Sequence, residues 1–408
     1  VVEYELNYPF VILITGGIIV LTMLIKSGLD RTGVPALVGY LFLGFLIRLA
    51  DAHWHFMSPG CGEILGFLAN LGLVTLLFRV GLESNLRGLL GQLRRASTVW
   101  VGDVFISGLI GFLTAFYVLN LPWITSLIVA TAFTATSVGI SVAVWEEERA
   151  LQSKNGELLI DVAEMDDISA VVFMAMLFSV LQALQGNGGA DLYPAVPKTI
   201  GIFLLKLIFF GGFCFLFSHF AEKPVTAYFR SMEAPPDPML VVVAIGFMIA
   251  ALAALLGFSL AIGAFFAGLV FSRDPKAVKM ETSFLPIYEL FSPFFFIGIG
   301  LDMDPGSMGG ALGIGVVLMV AAVVSKIVAD GIPMWRMAGL TSGILIGVSM
   351  IPRAEIAMVI MQRGLSLGDW AVPAKVFGAM VLVSAVTCLL SPLTVHFLLN
   401  RWPQKGEM

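Results

Sequence analysis

Charge is what this sequence has least of. Asp, Glu, Lys and Arg make up 12% of its 408 residues, against 58% that are apolar, where a soluble domain carries roughly 25% and 45–50%. So little charge cannot cover a water-facing surface, which excludes a soluble enzyme. Lys and Arg number 23 against 28 acids, a net charge of −5 with no basic block, so nucleic acid is excluded as a partner. The three cysteines, Cys61, Cys214 and Cys388, are too few and too scattered for a disulfide framework or a metal cluster. No cofactor is expected. Long apolar runs are what is abundant, and a mean hydropathy of +0.96 describes a chain that crosses the lipid bilayer many times. It opens Val1-Val-Glu-Tyr without Met, so a trimmed N-terminus is expected. It shows no cleavable leader pattern, and its first apolar run is expected to stay in the mature chain.

A spanning helix needs about 20 mostly apolar residues. Thirteen segments qualify, at 9–29, 34–50, 64–82, 97–119, 123–145, 158–185, 199–221, 238–256, 258–273, 284–302, 310–332, 337–361 and 372–399. Gly257 marks the turn between the eighth and ninth. None shows the dyad alternation of a barrel strand, so the expected fold is an all-α polytopic membrane protein of about 13 helices. The longest polar connections, 186–198 and 222–237, read as linkers. Basic residues set the orientation. One side holds Lys26, Arg31, Arg79, Arg87, Arg94, Arg95, Arg149, Lys154, Lys223, Arg230, Arg273, Lys276, Lys279, Arg336, Arg401 and Lys405, and the other only Arg48, Lys198, Arg363 and Lys375. Sixteen against four puts the N-terminus outside and the C-terminus in the cytoplasm.

Two pairs of segments resemble each other. Phe78-Arg-Val-Gly81-Leu-Glu83 closes the third span as Ile297-Gly-Ile-Gly300-Leu-Asp302 closes the tenth. Leu37-Val-Gly39-Tyr-Leu-Phe-Leu-Gly44 lies in the second as Ala261-Ile-Gly263-Ala-Phe-Phe-Ala-Gly268 lies in the ninth. Both pairs are seven spans apart, an odd offset, so the second copy enters the membrane from the opposite side. Six spans, a linking span and six more make an inverted repeat, a common construction of secondary transporters. The plainer reading is chance recurrence of Gly and Leu in apolar helices.

Ionisable groups at membrane depth cost at least about 2.5–3.5 kcal/mol each, so they mark function by default. The sixth span holds Asp161, Glu164, Asp166 and Asp167. At 1.5 Å per residue, Asp167 lies about 14 Å into a helix starting near Leu158, close to the midplane. A helix starting after Asp167 is the plainer alternative, and it would leave about 17 apolar positions, barely a span. Adjacent carboxylates in a partly dry site cannot both ionise cheaply, so they titrate jointly. Deprotonated, they offer hard oxygens to a small monovalent cation, for which protons then compete. The fifth span reads Thr131-Ala-Phe-Thr134-Ala-Thr136-Ser137-Val-Gly139-Ile-Ser141 at mid-depth, and the twelfth reads Ser349-Met-Ile-Pro352-Arg353-Ala-Glu355. Paired interruptions in two halves point to a site, although small residues also serve simple helix packing. Lys326, late in the eleventh span, needs a carboxylate partner. Asp330 is the plain choice, near the cytoplasmic surface, and Asp166 the sharper one. Lys206 is expected to snorkel or brace, and Asp103 and Glu289 to link helices.

Taken together, the tandem aspartates, the broken span before them, Lys326 and the Pro352-Arg353-x-Glu355 break resemble the monovalent cation/proton antiporters, specifically the CPA2 branch. Phe295-Phe-Ile-Gly-Ile-Gly-Leu-Asp302 is similar to that family's stretch before the lysine helix. The resemblance implies that Asp167 binds the cation, that Asp166 pairs with Lys326 in one state, and that Thr134 and Thr136 line the site. It implies electrogenic exchange of Na+ or Li+ for H+. Lys326, paired with Asp166 in the empty site, is read as a carrier of the second proton, the alternative being a brace, paired with Asp166 or Asp330, that never releases its proton. The resemblance also implies a homodimer in a bacterial inner membrane. A scaffold (1–96 and 238–305) and a mobile core (97–186 and 306–408), joined by 187–237, would move elevator-fashion. Asp161 and Glu164 are read as an accessory funnel, with Glu164 beyond the family pattern, and Arg353 and Glu355 as accessory charges at the break. The nucleotide-binding tail of the potassium-efflux relatives is not in the sequence, which points away from that branch. K+/H+ antiport is the nearest alternative, because residue types do not give cavity geometry. A cation channel and an organic-anion symporter are disfavoured by acids beside broken helices.

Overall fold

The computed structural model describes residues 8–29, 35–83, 86–186, 192–231, 238–256, 258, 260–272 and 277–404. Gly257, Arg31, Arg273, Lys276 and Lys405 lie outside them, as do the side chains of Glu164, Lys198, Arg87, Arg94, Arg95, Lys223, Arg230 and Lys279.

The described residues are overwhelmingly helical and contain no strand. Their helices are α1 (Tyr8–Leu29), α2 (Ala36–Trp54), α3 (Pro59–Glu83), α4 (Leu86–Leu113), α5 (Trp123–Thr134), α6 (Val138–Glu147), α7 (Lys154–Gly186), α8 (Leu192–Leu216), α9 (Glu222–Arg230), α10 (Pro238–Leu255), α11 (Leu260–Phe271), α12 (Ala277–Leu301), α13 (Met308–Lys326), α14 (Ile332–Ala338), α15 (Leu340–Ser349), α16 (Glu355–Ser366) and α17 (Ala374–Arg401). Wider π turns at 114–118, 217–221 and 327–331 extend α4, α8 and α13 without breaking them. Among the described residues, eight stretches are long and apolar enough to cross a membrane: Tyr8–Leu29, Ala36–Trp54, Pro59–Leu82, Ser97–Val118, Thr199–Ala221, Phe284–Leu301, Gly309–Ala338 and Ala374–Arg401. Helices suit lipid because each backbone N–H finds its acceptor within the same segment.

The helix bearing the acidic run begins at Lys154, four residues before the expected 158, so all four acids belong to it. The expected linker at 222–237 contains a helix, α9. Pro224 falls just after the π turn at 217–221, the kind of local irregularity at which a continuing helix takes up a proline.

By their packing the residues form two units. The first comprises Val1–Gly66, Gly88–Ala170 and Phe296–Met408. There α13 runs along α17, and α5 lies on α16. A buried cluster of Val99, Trp145, Leu159, Val162, Ile346 and Val395 fills the space among α4, α6, α7, α15 and α17. Two thirds of the apolar stretch of α17 is buried (67%, against 17% for α1), so α17 is a central helix and α1 a peripheral one. The second unit comprises Phe67–Arg87 and Val171–Phe295. In it Phe258 packs between Phe203 and Phe210, and Phe78 against Phe271 and Phe284.

In each unit two glycines of the paired sequences meet backbone to backbone. A Cβ on Gly300 would stand 2.8 Å from the Cα of Gly44, and one on Gly268 2.8 Å from the carbonyl carbon of Gly81. These four are among the glycines that the sequence pairs single out. Exchanging Gly44 with Gly268 and Gly81 with Gly300 turns one contact into the other.

Candidate functional site

Two helices stop in the middle of apolar sequence. α5 ends at Thr134 and α6 starts at Val138; α15 ends at Ser349 and α16 starts at Glu355. At the second break Pro352 has no N–H and biases Ile351 away from helical backbone. At the first, Ala135 is extended (φ −73°, ψ 140°) and hydroxyl residues that compete for backbone bonding follow it.

Backbone groups freed inside a membrane must find partners, and each break finds them in the other. The Ser137 N–H donates to the Pro352 carbonyl at 2.9 Å, and the Arg353 guanidinium donates to the Ala135 carbonyl. The Ser137 hydroxyl donates to Glu355 Oε2 at 2.6 Å, and Ser141 Oγ to the Ser349 carbonyl at 2.6 Å. Arg353 is fully buried. It also donates to Ser325 Oγ at 3.3 Å and lies 5.4 Å from the Phe133 ring centre. Among the described residues it forms no ion pair with a carboxylate, so it serves as the brace of the paired breaks.

Lys326 ends α13 and is 0% exposed, as are Asp103 on α4 and Asp166 on α7. Its ammonium donates to Asp103 Oδ2 and, at 3.3 Å, to Asp166 Oδ2. Asp103 Oδ1 accepts from the Ser107 hydroxyl at 2.8 Å, and Asp166 Oδ2 accepts from Thr136 Oγ1 at 2.9 Å. The first break is thereby tied to the acidic helix. The second oxygen of Asp166, Oδ1, is buried and meets no donor. Ser169 fixes the backbone beside it, donating to the Asp166 carbonyl at 3.0 Å while accepting from the Trp100 indole at 3.1 Å. The helices approach this closely because Gly102 has no side chain; a Cβ there would stand 3.0 Å from the Ala329 carbonyl oxygen.

Asp166, Lys326 and Thr136 therefore converge as anticipated, with Arg353 and Glu355 at the neighbouring break. Asp167 is half-buried and follows directly in α7. Thr134 is buried at the end of α5, and its hydroxyl donates to the Thr131 carbonyl at 2.8 Å. Asp161 is half-buried, with one oxygen buried and undonated. Exposed Lys206 donates to the Leu256 carbonyl at 3.0 Å, which braces two helices, and Glu289 is exposed.

Two residues differ from expectation. Asp330 is fully buried, and among the described residues the ion-pair partners of Lys326 are Asp103 and Asp166, not Asp330 as the plain choice had it. Asp103 does link helices, but as a partner of Lys326 at the centre of the site. A lone acid in the otherwise uncharged span 97–119, preceded by a glycine, was its available signal.

Residues 17–401 match the family described as sodium/hydrogen exchanger, transmembrane. The high-affinity Na+/H+ antiporter NhaS3 of Synechocystis sp. is 28% identical over 95% of this chain and 84% of its own. The Na+/H+-K+ antiporter GerN of Bacillus cereus is 28% identical over 89% of each chain. The solved structure of the sodium proton antiporter MjNhaP1 from Methanocaldococcus jannaschii has the same fold, with a TM-score of 0.67 over 97% of both chains at 14% identity. The helical bundle, the paired breaks and these matches identify the chain as a member of the transmembrane sodium/hydrogen exchanger family.

Proposed function

We propose that the chain exchanges Na+ or Li+ for H+ across a bacterial inner membrane, electrogenically and by elevator-type alternating access. One observation carries this reading. Asp166 offers a buried carboxylate oxygen without a donor, beside Asp167 and next to the paired breaks. A bare carboxylate oxygen there is costly unless it serves a cation or a proton. Asp167 and Asp166 would take the cation as hard oxygen ligands, with Thr136 turning between Asp166 and the ion, and Thr134 near the break. Cation entry competes with the Lys326 contact on Asp166, so the empty and loaded states differ in that ion pair.

The reading includes thirteen spans in a six-plus-six inverted repeat, which the exchange-related glycine contacts support. It includes the CPA2 branch, supported by the tandem aspartates, and a homodimer built on a scaffold of 1–96 and 238–305 with a core of 97–186 and 306–408. The excess of basic residues on one side favours a cytoplasmic C-terminus. K+/H+ antiport is the second reading, favoured by the potassium in the description of GerN.

Purified protein in proteoliposomes tests it. A pH step is imposed, Na+, Li+ or K+ is added in turn, and lumenal pH and membrane potential are followed. Na+ and Li+ are expected to drive proton movement with a voltage. A response to K+ alone would favour the second reading, and no response to any cation would overturn both.

A further inference from the structure

The second break is held from two sides. Ser137 and Ser141 reach it from the first break and from α6. On the other side stands α17, which packs on α6, α13, α15 and α16. Three buried side chains of α17 meet the backbone at and beside the break. Thr387 Oγ1 accepts from the Arg353 N–H at 3.2 Å, Cys388 Sγ donates to the Arg353 carbonyl at 3.5 Å, and Ser391 Oγ donates to the Val348 carbonyl at 3.1 Å. Ser391 comes one helical turn after the other two, so all three share a face of α17.

Thr387 is fixed as an acceptor. Its own hydroxyl hydrogen points back to the Val383 carbonyl at 2.8 Å, which leaves the lone pairs of the oxygen for the Arg353 N–H. That N–H has no helix to serve it, because Arg353 lies between α15 and α16 and is fully buried. An unmet N–H at that depth has no water to turn to. Thr387 and Cys388 thus hold the peptide groups on both sides of the Arg353 Cα, and its side chain starts from a fixed point. From there the guanidinium reaches the Ala135 carbonyl in the first break and Oγ of Ser325, the residue before Lys326. The arrangement parallels that of Thr136 and Asp166. The sixth span, α7, meets the first break with an acid, and the thirteenth, α17, meets the second with a neutral hydroxyl.

We propose that Thr387 is a positioning residue of the exchanger: by holding the Arg353 backbone it aims the guanidinium at the first break, and through that break it sets the affinity of Asp166 and Asp167 for the cation. The proposal rests on the antiport reading. Without the Thr387 hydroxyl the Arg353 N–H loses its acceptor, the residue turns to find another, and the guanidinium leaves the Ala135 carbonyl. Thr136, one residue further on, then holds Asp166 less firmly. The oxygens offered to the cation are no longer set in advance, and ordering them is charged to binding.

Thr387→Val keeps the shape and removes the acceptor, whereas Thr387→Ser keeps the acceptor and removes a methyl group. In proteoliposomes the Na+ concentration for half-maximal proton movement and the maximal rate are measured. For the purified protein, the rise in unfolding temperature that Na+ produces reports binding without transport. Thr387→Val is expected to weaken Na+ binding about fivefold, equivalent to the roughly 1 kcal/mol that one hydrogen bond contributes. Its maximal rate should stay close to that of wild type, and Na+ should raise its unfolding temperature less. Thr387→Ser is expected to match wild type in both assays. Thr394→Val, at an exposed threonine of the same helix, is expected to change neither. A lower unfolding temperature with unchanged Na+ affinity in Thr387→Val would make Thr387 a packing residue and overturns the proposal. So does an equal loss of affinity in Thr387→Ser, which would make the methyl group the cause. If Thr387→Val does not fold, Thr387→Cys takes its place, because sulfur is the weaker acceptor; weakened Na+ binding supports the proposal and wild-type affinity overturns it. A wild type that moves no protons with any cation overturns the antiport reading and this proposal with it. Wild-type exchange with unchanged affinity in Thr387→Val overturns this proposal alone.

Discussion

Replacing Asp103 by Asn tests the central ion pair with the least change in shape. Lys326 is shared between Asp103 and Asp166, the second at 3.3 Å. At an effective dielectric of about 20, the attraction between unit charges at that distance is about 5 kcal/mol before desolvation is subtracted. With Asp103 neutral, Lys326 has Asp166 as its one remaining ionised hydrogen-bond partner, and a cation must displace a more tightly held ammonium. If about a third of the attraction is added to that competition, binding weakens by about 1.5 kcal/mol, or roughly tenfold. Loss of one negative charge from the buried cluster acts in the same direction. The measurement is the Na+ concentration that gives half-maximal proton movement in proteoliposomes at fixed pH, with thermal unfolding followed on the same sample. Ser107→Ala removes only the 2.8 Å bond that orients Asp103 and should give a smaller shift of the same sign. Unchanged or tighter Na+ affinity in a folded Asp103→Asn protein would show that the Asp103 pair does not govern cation binding.

Asp167→Asn should abolish cation-driven proton movement while the protein remains folded and elutes as wild type; normal exchange would remove Asp167 from the site. Asp161→Asn and Glu164→Gln should each shift apparent cation affinity or the pH profile and leave residual turnover. Complete loss in Glu164→Gln would enlarge the ion site to three acids of α7. Gly268→Val would press a branched side chain into the backbone at Gly81, so destabilisation of at least about 1–3 kcal/mol is expected, read as a lower unfolding temperature in detergent. Retention of the wild-type temperature would mean that α3 and α11 can separate freely.

Much of this architecture could be read from residue order. Apolar length located the helices, and Pro352 located one break, because a missing N–H and the strain before a proline are local effects. The first break was legible only through its hydroxyl run and its seven-span relation to the second. Asp166 and Lys326 were legible because a charge at membrane depth demands a partner. The choice of partner was not, since it depends on how close two backbones come. Gly102 lets α4 reach Ala329 and so puts Asp103 on Lys326, a consequence of packing between residues far apart in sequence. Asp330 is not the partner of Lys326 for the same reason. Spacing from Lys326 gave it the right helix face, but its burial depends on α15 lying against Gly331. The helix α9 was missed because a short amphipathic segment carries none of the apolar length used to find spans.

The mutual satisfaction of the two breaks also has a consequence for how the protein is made. Ala135 and Arg353 are 218 residues apart in sequence, and the Ser137 N–H likewise waits for Pro352. During synthesis the first broken helix must enter the bilayer long before the second exists. Until then its free backbone groups need water, lipid headgroups or an insertase as temporary partners, since hydrocarbon offers none. A nascent chain stalled before the second break should therefore expose the 135–137 region to water-borne labelling reagents and quality-control proteases, and that exposure should end only when the ribosome has passed it.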